Sequence, residues 1–565
     1  LITSKTPEEK ETRLFDMDDK TSNFIHDIID ADLAKKPGMK IHTRFPPEPN
    51  GYLHIGSAKA IWINWSTAKK YGGLFNLRYD DTNPEKEDNE YVEAIYEDLI
   101  WLGTYPDGGV YYGSDYFGKC YEYAVKLIKE GKAYVCDLSK EDIAEYKGSD
   151  RSEASRPSPY RSRTPEENLD LFERMKNGEF PEGSRTLRAK IDPSSDNFYL
   201  RDPVIYRIKH MPHQRQGDTW CVYPMYDFAH PIQDALEGIT HSLCDIGFEN
   251  HRPLYEWVVD NCGFEHKPKQ REFARLNMTY TIMSKRYLRR LVEEGIVDGW
   301  DDPRMPTLCG LRRRGYTPTS ILTFIERSGV GKSNNLIQLE MLEHCLREEL
   351  NASAPRRVVV AKPLKVIIEN YPEGRVEYFS LPNNPQDPAS GTRKLSFTRE
   401  IYIEAGDFAE LPPPRFHRLK PGGEVRLMGS YIIKCVGVDK APDGSVEAVR
   451  CTADLESGSS SPYDGRKIRG TIHWLSASHA VPMTLMYYDR LFTVENVGEL
   501  GDGFIEYVNP DSLIKVEGAL AEPTLADARP GDRFQFVRNG YFCLDTKNPG
   551  AFNRIVGLKD SFPKN

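Results

Sequence analysis

The segment Arg44-Phe-Pro-Pro-Glu-Pro-Asn-Gly-Tyr-Leu-His-Ile-Gly-Ser57 sets prolines, two glycines, a carboxylate and a histidine between two regular runs. An apolar stretch at 40–44 precedes it and a helical pattern at 58–70 follows. A strand here feeds a tight turn, and the turn opens a helix whose first N–H groups lack internal partners. Unpaired N–H groups and the helix dipole both favour anions, and His54 can donate a further hydrogen bond. The chemistry indicated is a nucleotide phosphate held near residue 54.

Three other places carry groups able to react or recognise. In Asn76-Leu-Arg-Tyr-Asp-Asp-Thr-Asn-Pro84, paired carboxylates end a predicted strand, where Asp80 can hold a substrate ammonium; a turn or N-cap cluster is the competing reading. In Trp220-Cys-Val-Tyr-Pro-Met-Tyr-Asp-Phe228, Tyr226 lies at another strand end; a half-buried core tyrosine is the alternative. In Thr281-Ile-Met-Ser-Lys-Arg286, Lys285 follows a strand and precedes a helix. It is placed to meet developing phosphate charge, or else it is a solvated surface lysine.

The elements that must position these groups follow from periodicity. Residues 1–37 are polar with one amphipathic helix (Phe24, Ile25, Ile28, Ile29, Leu33). Over 38–115 strands and helices alternate: strands at 40–44 and 74–79, helices at 58–70 and 89–102. Such alternation predicts βαβ units and a parallel sheet that binds ligands at its strand C-termini. Residues 116–220 break the pattern and read as an inserted domain. The alternation returns over 221–285, with strands expected at 220–223, 239–244 and 270–275. A helical segment spans 286–353. From 354 to 565, short β-rich runs separated by Gly, Pro and Asp turns predict two antiparallel β-barrels.

At 565 residues the chain exceeds what one core supports. Its 39% hydrophobic and 28% charged residues are those of a globular protein. No apolar run approaches the ~18 residues of a membrane span, the first twenty residues lack the apolar core of a secretory signal, and a cytoplasmic protein is expected. Ten scattered cysteines without a C-x-x-C pair predict reduced thiols and no structural metal. The net charge of −10 disfavours nonspecific polyanion binding. Local basic clusters at Lys285-Arg286, Arg289-Arg290 and Arg312-Arg313-Arg314 are candidate RNA contacts or solvated helix faces.

Taken in order, Phe45-Pro-Pro-Glu-Pro-Asn-Gly, His54-Ile-Gly and Met283-Ser284-Lys285, with an insertion between them, resemble the class I aminoacyl-tRNA synthetases. Arg-Tyr-Asp-Asp-Thr-Asn-Pro, Tyr-Asp-Phe, Asp301-Asp-Pro-Arg304 and Leu311-Arg-Arg-Arg-Gly315 narrow the likeness to the glutamyl/glutaminyl subfamily, on its glutaminyl side, from about residue 23 onward. The resemblance implies a Rossmann-type doubly wound sheet, an inserted acceptor-end domain and anticodon-binding barrels. It implies that glutamine is activated with ATP and Mg2+ and transferred to tRNA(Gln), by a chain acting as a monomer away from membranes.

By the same resemblance, His54, Ser57 and Lys285 serve catalysis. Glu48, Pro49, Asn50, His54, Ile55, Gly56, Ser57, Ala58, Lys59, Ala60, Asp245, Arg275, Leu276, Met283, Ser284 and Lys285 hold ATP. Asp80, Tyr226, Arg44 and Cys244 hold glutamine, and Asn250, Arg356, Arg418, Gln535 and Arg538 contact tRNA. Relatives carry histidine at Ser57, and often aspartate at Asn250. Glutamyl relatives commonly carry arginine at Cys244, so a neutral thiol there disfavours glutamate. The remaining alternatives are a nondiscriminating glutamyl-tRNA synthetase and a catalytically impaired tRNA-binding paralogue.

Overall fold

The computed structural model describes residues 22–85, 89–148, 155–458, 465–560 and 562. It divides into two compact units, one comprising residues up to 277 with 325–337, the other 278–324 with 338–565. The expected polar segment ahead of residue 22 lies outside the described residues.

In the first unit, helix α1 (Phe24–Lys35) precedes β1 (His42–Phe45), α2 (Ile55–Lys70), β2 (Leu74–Tyr79), α3 (Asn89–Leu102) and β3 (Gly109–Tyr112). β1, β2 and β3 pair in parallel, with Arg44 opposite Asn76 and Arg78 opposite Tyr111. Later in the chain β8 (His241–Asp245) and β9 (Lys269–Phe273) form a second parallel pair. The Thr240 N–H donates to the His42 carbonyl at 2.9 Å, which sets β8 along the free side of β1. The resulting order, β3-β2-β1-β8-β9, reverses direction between β1 and β8, where doubly wound sheets leave a ligand crevice. β1 and β2 are buried nearly throughout, as parallel strands covered on both faces are. α1 contributes Ile25 and Ile29 to a core with Ile41, Ile63, Leu243 and Phe273. Gly73 admits no side chain, since a Cβ there would lie 2.0 Å from the Ile41 carbonyl oxygen.

Between the halves of this sheet run α4 (Phe117–Lys129), β4 (Ala133–Cys136), α5 (Lys140–Lys147), α6 (Pro165–Lys176), β5 (Thr186–Ala189), β6 (Val204–Ile208) and β7 (Val222–Pro224). The four strands pair antiparallel in sequence order. The run at 220–223, expected to resume the parallel alternation, instead closes this sheet: Tyr206 pairs with Pro224. An apolar run of that length suits either sheet, and its pairing partner decides. α7 (Tyr226–Leu236) and α8 (Arg252–Cys262) complete the unit.

In the second unit, helices Lys285–Glu293, Leu308–Arg314 and Leu339–Ser353 accompany two seven-stranded sheets. Most pairings are antiparallel, but each sheet also has two parallel ones: Pro363–Ile368 with Val446–Asp454 and Glu424–Leu427 with Thr471–Ile472 in one, Val481–Tyr488 with Ala551–Val556 and Arg356–Arg357 with Arg533–Phe536 in the other. The ends of one sheet are Thr471–Ile472 and Leu475–Ser476; those of the other are Arg356–Arg357 and Val359–Val360. Edges so close along the chain mean that each sheet curls round towards its own beginning, as a barrel does. Trp474, Phe397 and Ile401 fill the first; Phe536, Phe542 and Leu485 fill the second.

Two arginines of the basic clusters, read as RNA contacts or a solvated helix face, are instead tied into the second unit, Arg313 buried and Arg314 half-buried. Arg313 forms two 3.0 Å hydrogen bonds to Asp545, and Arg314 donates to the carbonyls of Tyr488 and Ile555 at 3.2 Å. Arg533 donates to the Gly315 carbonyl at 2.6 Å. The Arg-rich turn therefore fastens the helical segment to the second barrel.

Candidate active site

The phosphate-seat loop folds as its residue types require, with one refinement. α2 begins at Ile55, a turn earlier than the apolar pattern indicates, because His54 is its N-cap. The His54 Nδ1 accepts the Gly56 N–H at 3.1 Å, and the Ser57 Oγ accepts the His54 N–H at 3.4 Å. This reciprocal capping box has two consequences. The accepting Nδ1 places the proton of the neutral ring on Nε2, and Ser57 serves the helix start. Ile55, Ala58 and Lys59 are buried on the inner side of α2.

Asp80, at the end of β2, lies in a cleft of about 170 Å³ lined by Glu48, Asn50, Asp80, Thr82, Asn83, Arg207, Pro224, Met225 and Tyr226. Four of the anticipated residues meet there, drawn from the phosphate loop and two strand ends. Burial, reinforced by the nearby Glu48 and Asp81 carboxylates, raises the Asp80 pKa from 3.8 to about 6. A hydrogen bond from Thr82 Oγ1 at 2.8 Å and the Arg78 charge oppose the shift. Such a carboxylate gains most from a cation brought to it. Thr82, Asn83 and Arg207 were not anticipated. The first two sit inside the quoted Asp-Asp-Thr-Asn motif, whereas Arg207 on β6 had no signal beyond its charge; its Nη2 donates to Asn83 Oδ1 at 3.0 Å.

Tyr226 opens α7 and is clamped between the rings of His230 (4.8 Å, nearly parallel) and Phe248 (5.2 Å). Burial keeps its hydroxyl protonated well above the usual range. Behind it lies a wholly buried charge cluster. Arg44 meets Asp234 at 3.1 Å, Arg78 meets the same carboxylate at 2.7 Å and Glu237 at 3.1 Å. The Tyr255 hydroxyl donates to Asp234 at 2.8 Å. Burial opposes ionisation of Asp234, yet the Arg44 and Arg78 charges hold it well below the carboxylate range. Burial keeps His230 neutral. Two guanidiniums thus balance two carboxylates, the condition for burying charge at all. Arg44, anticipated beside the substrate, is committed to this cluster and supports Tyr226 from behind. Burial likewise raises the Cys244 thiol, whose Sγ donates to the Arg271 carbonyl at 3.8 Å, so its side chain is neutral.

Asp245 and Arg275 are joined by a 2.7 Å ion pair, and Asp245 also accepts the Gly247 N–H at 2.8 Å; Leu276 is buried beside them. The Asn250 carbonyl accepts from Asn197 at 2.9 Å. Met283, Ser284 and Lys285 belong to the second unit, where Ser284 stands at the N-cap position, without a side-chain cap bond, and Lys285 opens the helix Lys285–Glu293. Of the barrel residues, Arg356 is buried with three hydrogen bonds to Ala354 and Asn351. Arg538, at φ 65°, and Arg418 share the buried carboxylate of Asp407. Gln535 donates to the Tyr541 hydroxyl at 2.9 Å. Among the described residues no cluster of three or more His, Cys, Asp or Glu is arranged to hold a metal, and no helix is long and apolar enough to cross a membrane.

The doubly wound sheet with its capped histidine loop in one unit, and the two curled β-sheets in the other, define a class I synthetase architecture. Residues 40–352 match the family model described as tRNA synthetases class I (E and Q), catalytic domain. Residues 354–454 and 471–545 match the two models described as the anti-codon binding domain of the same class. The chain belongs to the class I tRNA synthetases of the E and Q family. Among curated relatives, glutamine–tRNA ligase of Clostridium perfringens is 53% identical over 96% of this chain and 98% of its own length. The enzyme of the same name from Stutzerimonas stutzeri is 54% identical, with the same coverage. That from Vibrio parahaemolyticus is 53% identical over 97% of this chain and 99% of its own. A solved glutamate tRNA ligase from Elizabethkingia meningosepticum is 21% identical with a TM-score of 0.43, covering 56% of this chain and 70% of that one.

Proposed function

We propose that the chain is an ATP-dependent glutamine–tRNA ligase. A carboxylate oxygen of glutamine attacks the α-phosphorus of ATP, forming glutaminyl adenylate and releasing pyrophosphate. A ribose hydroxyl of the 3′-terminal adenosine of tRNA(Gln) then attacks the acyl carbon, and AMP leaves. Such in-line chemistry depends on positioning and charge stabilisation more than on a protein nucleophile.

The loop residues Glu48, Pro49 and Asn50, the backbone from Ile55 to Ala60, the Asp245–Arg275 pair, Leu276, Met283 and Ser284 hold ATP. His54, through Nε2–H, and Lys285 stabilise charge growing on the α-phosphate, while Ser57 secures the His54 backbone. Magnesium carried on the triphosphate would supply neutralisation of part of its charge. Asp80 takes the α-ammonium of glutamine. The Tyr226 hydroxyl meets the side-chain amide, beside the neutral Cys244. With Arg44 bound to Asp234 and Cys244 neutral, neither of these two residues offers a free cation to a glutamate carboxylate, which supports selection of the amide.

The antiparallel sheet inserted between β3 and α7, with Asn250, receives the acceptor end. The two barrels receive the anticodon, whose splayed bases are read by stacking and edge hydrogen bonds. Arg418 keeps half its side chain in solvent and is a stronger anticodon contact than the buried Arg356; Gln535 and Arg538 lie on the second barrel. The chain acts as a monomer in the cytoplasm.

The observation that carries this reading is the single cleft shared by Asp80, Tyr226, Glu48 and Asn50. ATP–pyrophosphate exchange in the presence of tRNA, with glutamine against glutamate, tests it. Glutamine is expected to be strongly preferred; preference for glutamate would refute the assignment.

A further inference from the structure

Between the two pocket residues Asp80 and Thr82 stands one that faces the other way. Asp81 is 3% exposed, and its carboxylate takes the Ser114 N–H at 2.7 Å and the Ser114 hydroxyl at 2.6 Å. Its carbonyl lies 2.6 Å from His213 Nε2. His213 belongs to the stretch between β6 and β7, within the inserted antiparallel sheet, far from β2 in sequence.

His213 heads a tight turn. Its backbone N–H and C=O bond reciprocally to Gly217 at 2.9 and 2.8 Å, and Gly217 takes the φ of 56° that the turn demands. The N–H groups of Arg215 and Gln216 donate to His213 Nδ1 at 3.1 and 3.2 Å. An Nδ1 that accepts leaves the ring proton on Nε2, so the group facing the Asp81 carbonyl is a donor. Arg215 continues the grip, donating to Ser114 Oγ at 3.2 Å and Asp115 at 3.0 Å while lying 3.6 Å above the Tyr112 ring. The turn thus stitches together the C-terminal ends of β2 and β3, the edge at which a doubly wound sheet presents its ligand groups.

We propose that His213 is a positioning residue of the amino-acid pocket: its Nε2–H fixes the Asp81 carbonyl, and so the direction in which Asp80 and Thr82 present their side chains to the substrate. This rests on the reading of Asp80 as the ammonium anchor. The other end of the segment is already held, by the Asp80 N–H to the Pro47 carbonyl at 2.9 Å. Without His213, the segment from Asp81 to Asn83 loses a backbone restraint from the inserted sheet. The loss falls on glutamine binding more than on ATP, because His213 and Ser114 hold the Asp81 end of the segment, while the end beside the histidine loop keeps its own bond from the Asp80 N–H to Pro47.

Two substitutions separate positioning from a merely structural role in the turn. His213→Gln carries an amide N–H out to the place of Nε2 and keeps the bond to Asp81, but abandons the turn's two N–H groups. His213→Asn keeps an acceptor near the place of Nδ1 and loses the bond to Asp81. Steady-state aminoacylation, varying glutamine and ATP separately, reads the difference. The proposal expects His213→Asn to raise KM for glutamine roughly tenfold, the effect of one buried hydrogen bond, with KM for ATP and kcat nearly unchanged. His213→Gln should stay close to the parent. The reverse order, or kcat and both KM values falling away together, would overturn it. Parent protein in the same assay isolates the underlying reading. If it shows no glutamine-dependent turnover the assigned function fails, whereas turnover with an unmoved KM in His213→Asn defeats the positioning role alone.

Discussion

Asp80→Asn should stabilise the unliganded chain at neutral pH while removing most of its affinity for glutamine. Burial first, and then Glu48 and Asp81, lift the Asp80 pKa from 3.8 to about 6. The folded chain therefore holds a proton between those values that the unfolded chain has already lost. Stability from this group is present at low pH and is lost as pH rises through that window. The gap corresponds to about 3 kcal/mol at full effect. The carboxylate opens onto the cleft and is partly screened by solvent, so about 1–2 kcal/mol is the expected penalty at neutral pH. Asparagine keeps an acceptor for Thr82 and carries no charge, so the penalty disappears. Urea denaturation near neutral pH should find Asp80→Asn more stable by that amount, and the difference should vanish near pH ~4. The same substitution removes a charged hydrogen bond to the substrate ammonium, worth about 2–3 kcal/mol, or ~30–150-fold in KM for glutamine. In the parent, KM for glutamine should rise as pH falls below about 6, and this dependence should be absent from the variant. A variant less stable than the parent at neutral pH would refute the strained-carboxylate argument. An unchanged KM for glutamine would refute the ammonium contact.

His54→Ala and Lys285→Ala should each lower kcat for pyrophosphate exchange by roughly 10²–10³. Only His54→Ala should also lose helix-capping stability, of about 1 kcal/mol, measurable by thermal unfolding. Asp234→Asn leaves Arg44 and Arg78 buried with too little negative charge. It should destabilise the first unit by about 3–5 kcal/mol in denaturant titration, and a cost below about 1 kcal/mol would contradict the balanced-charge account. Gly315→Ala forces a side chain onto a residue at φ 109° whose Cβ would stand 2.6 Å from that of Cys543. Calorimetry should show a loss greater than about 1 kcal/mol.

Much of the architecture was legible because its signals are local. Strand 74–79 and helix 89–102 carry their own apolar periodicity, and both form over the expected residues. The start of α2 was displaced because an apolar pattern does not register a histidine acting as a cap. The run at 220–223 was assigned to the wrong sheet because strand propensity is silent about which strand will pair with it. Arg313 and Arg314 read as surface charge because the groups that absorb them, Asp545 and the carbonyls of Tyr488 and Ile555, lie more than 170 residues away.

What the sequence determined by itself was the set of proposed site groups and their order along the chain: the histidine loop, the Asp80 strand end, Tyr226 and the Met-Ser-Lys segment. These are properties of short stretches, where backbone geometry and side-chain chemistry are set by near neighbours. Tertiary structure alone decided which charges face the cleft and which are neutralised behind it. It committed Arg44 to Asp234, brought Arg207 to the pocket wall, and placed His213 against the Asp81 carbonyl. The physical reason is that burying a charge or a polar group is tolerable only with a partner, and the partners come from segments far apart in the chain.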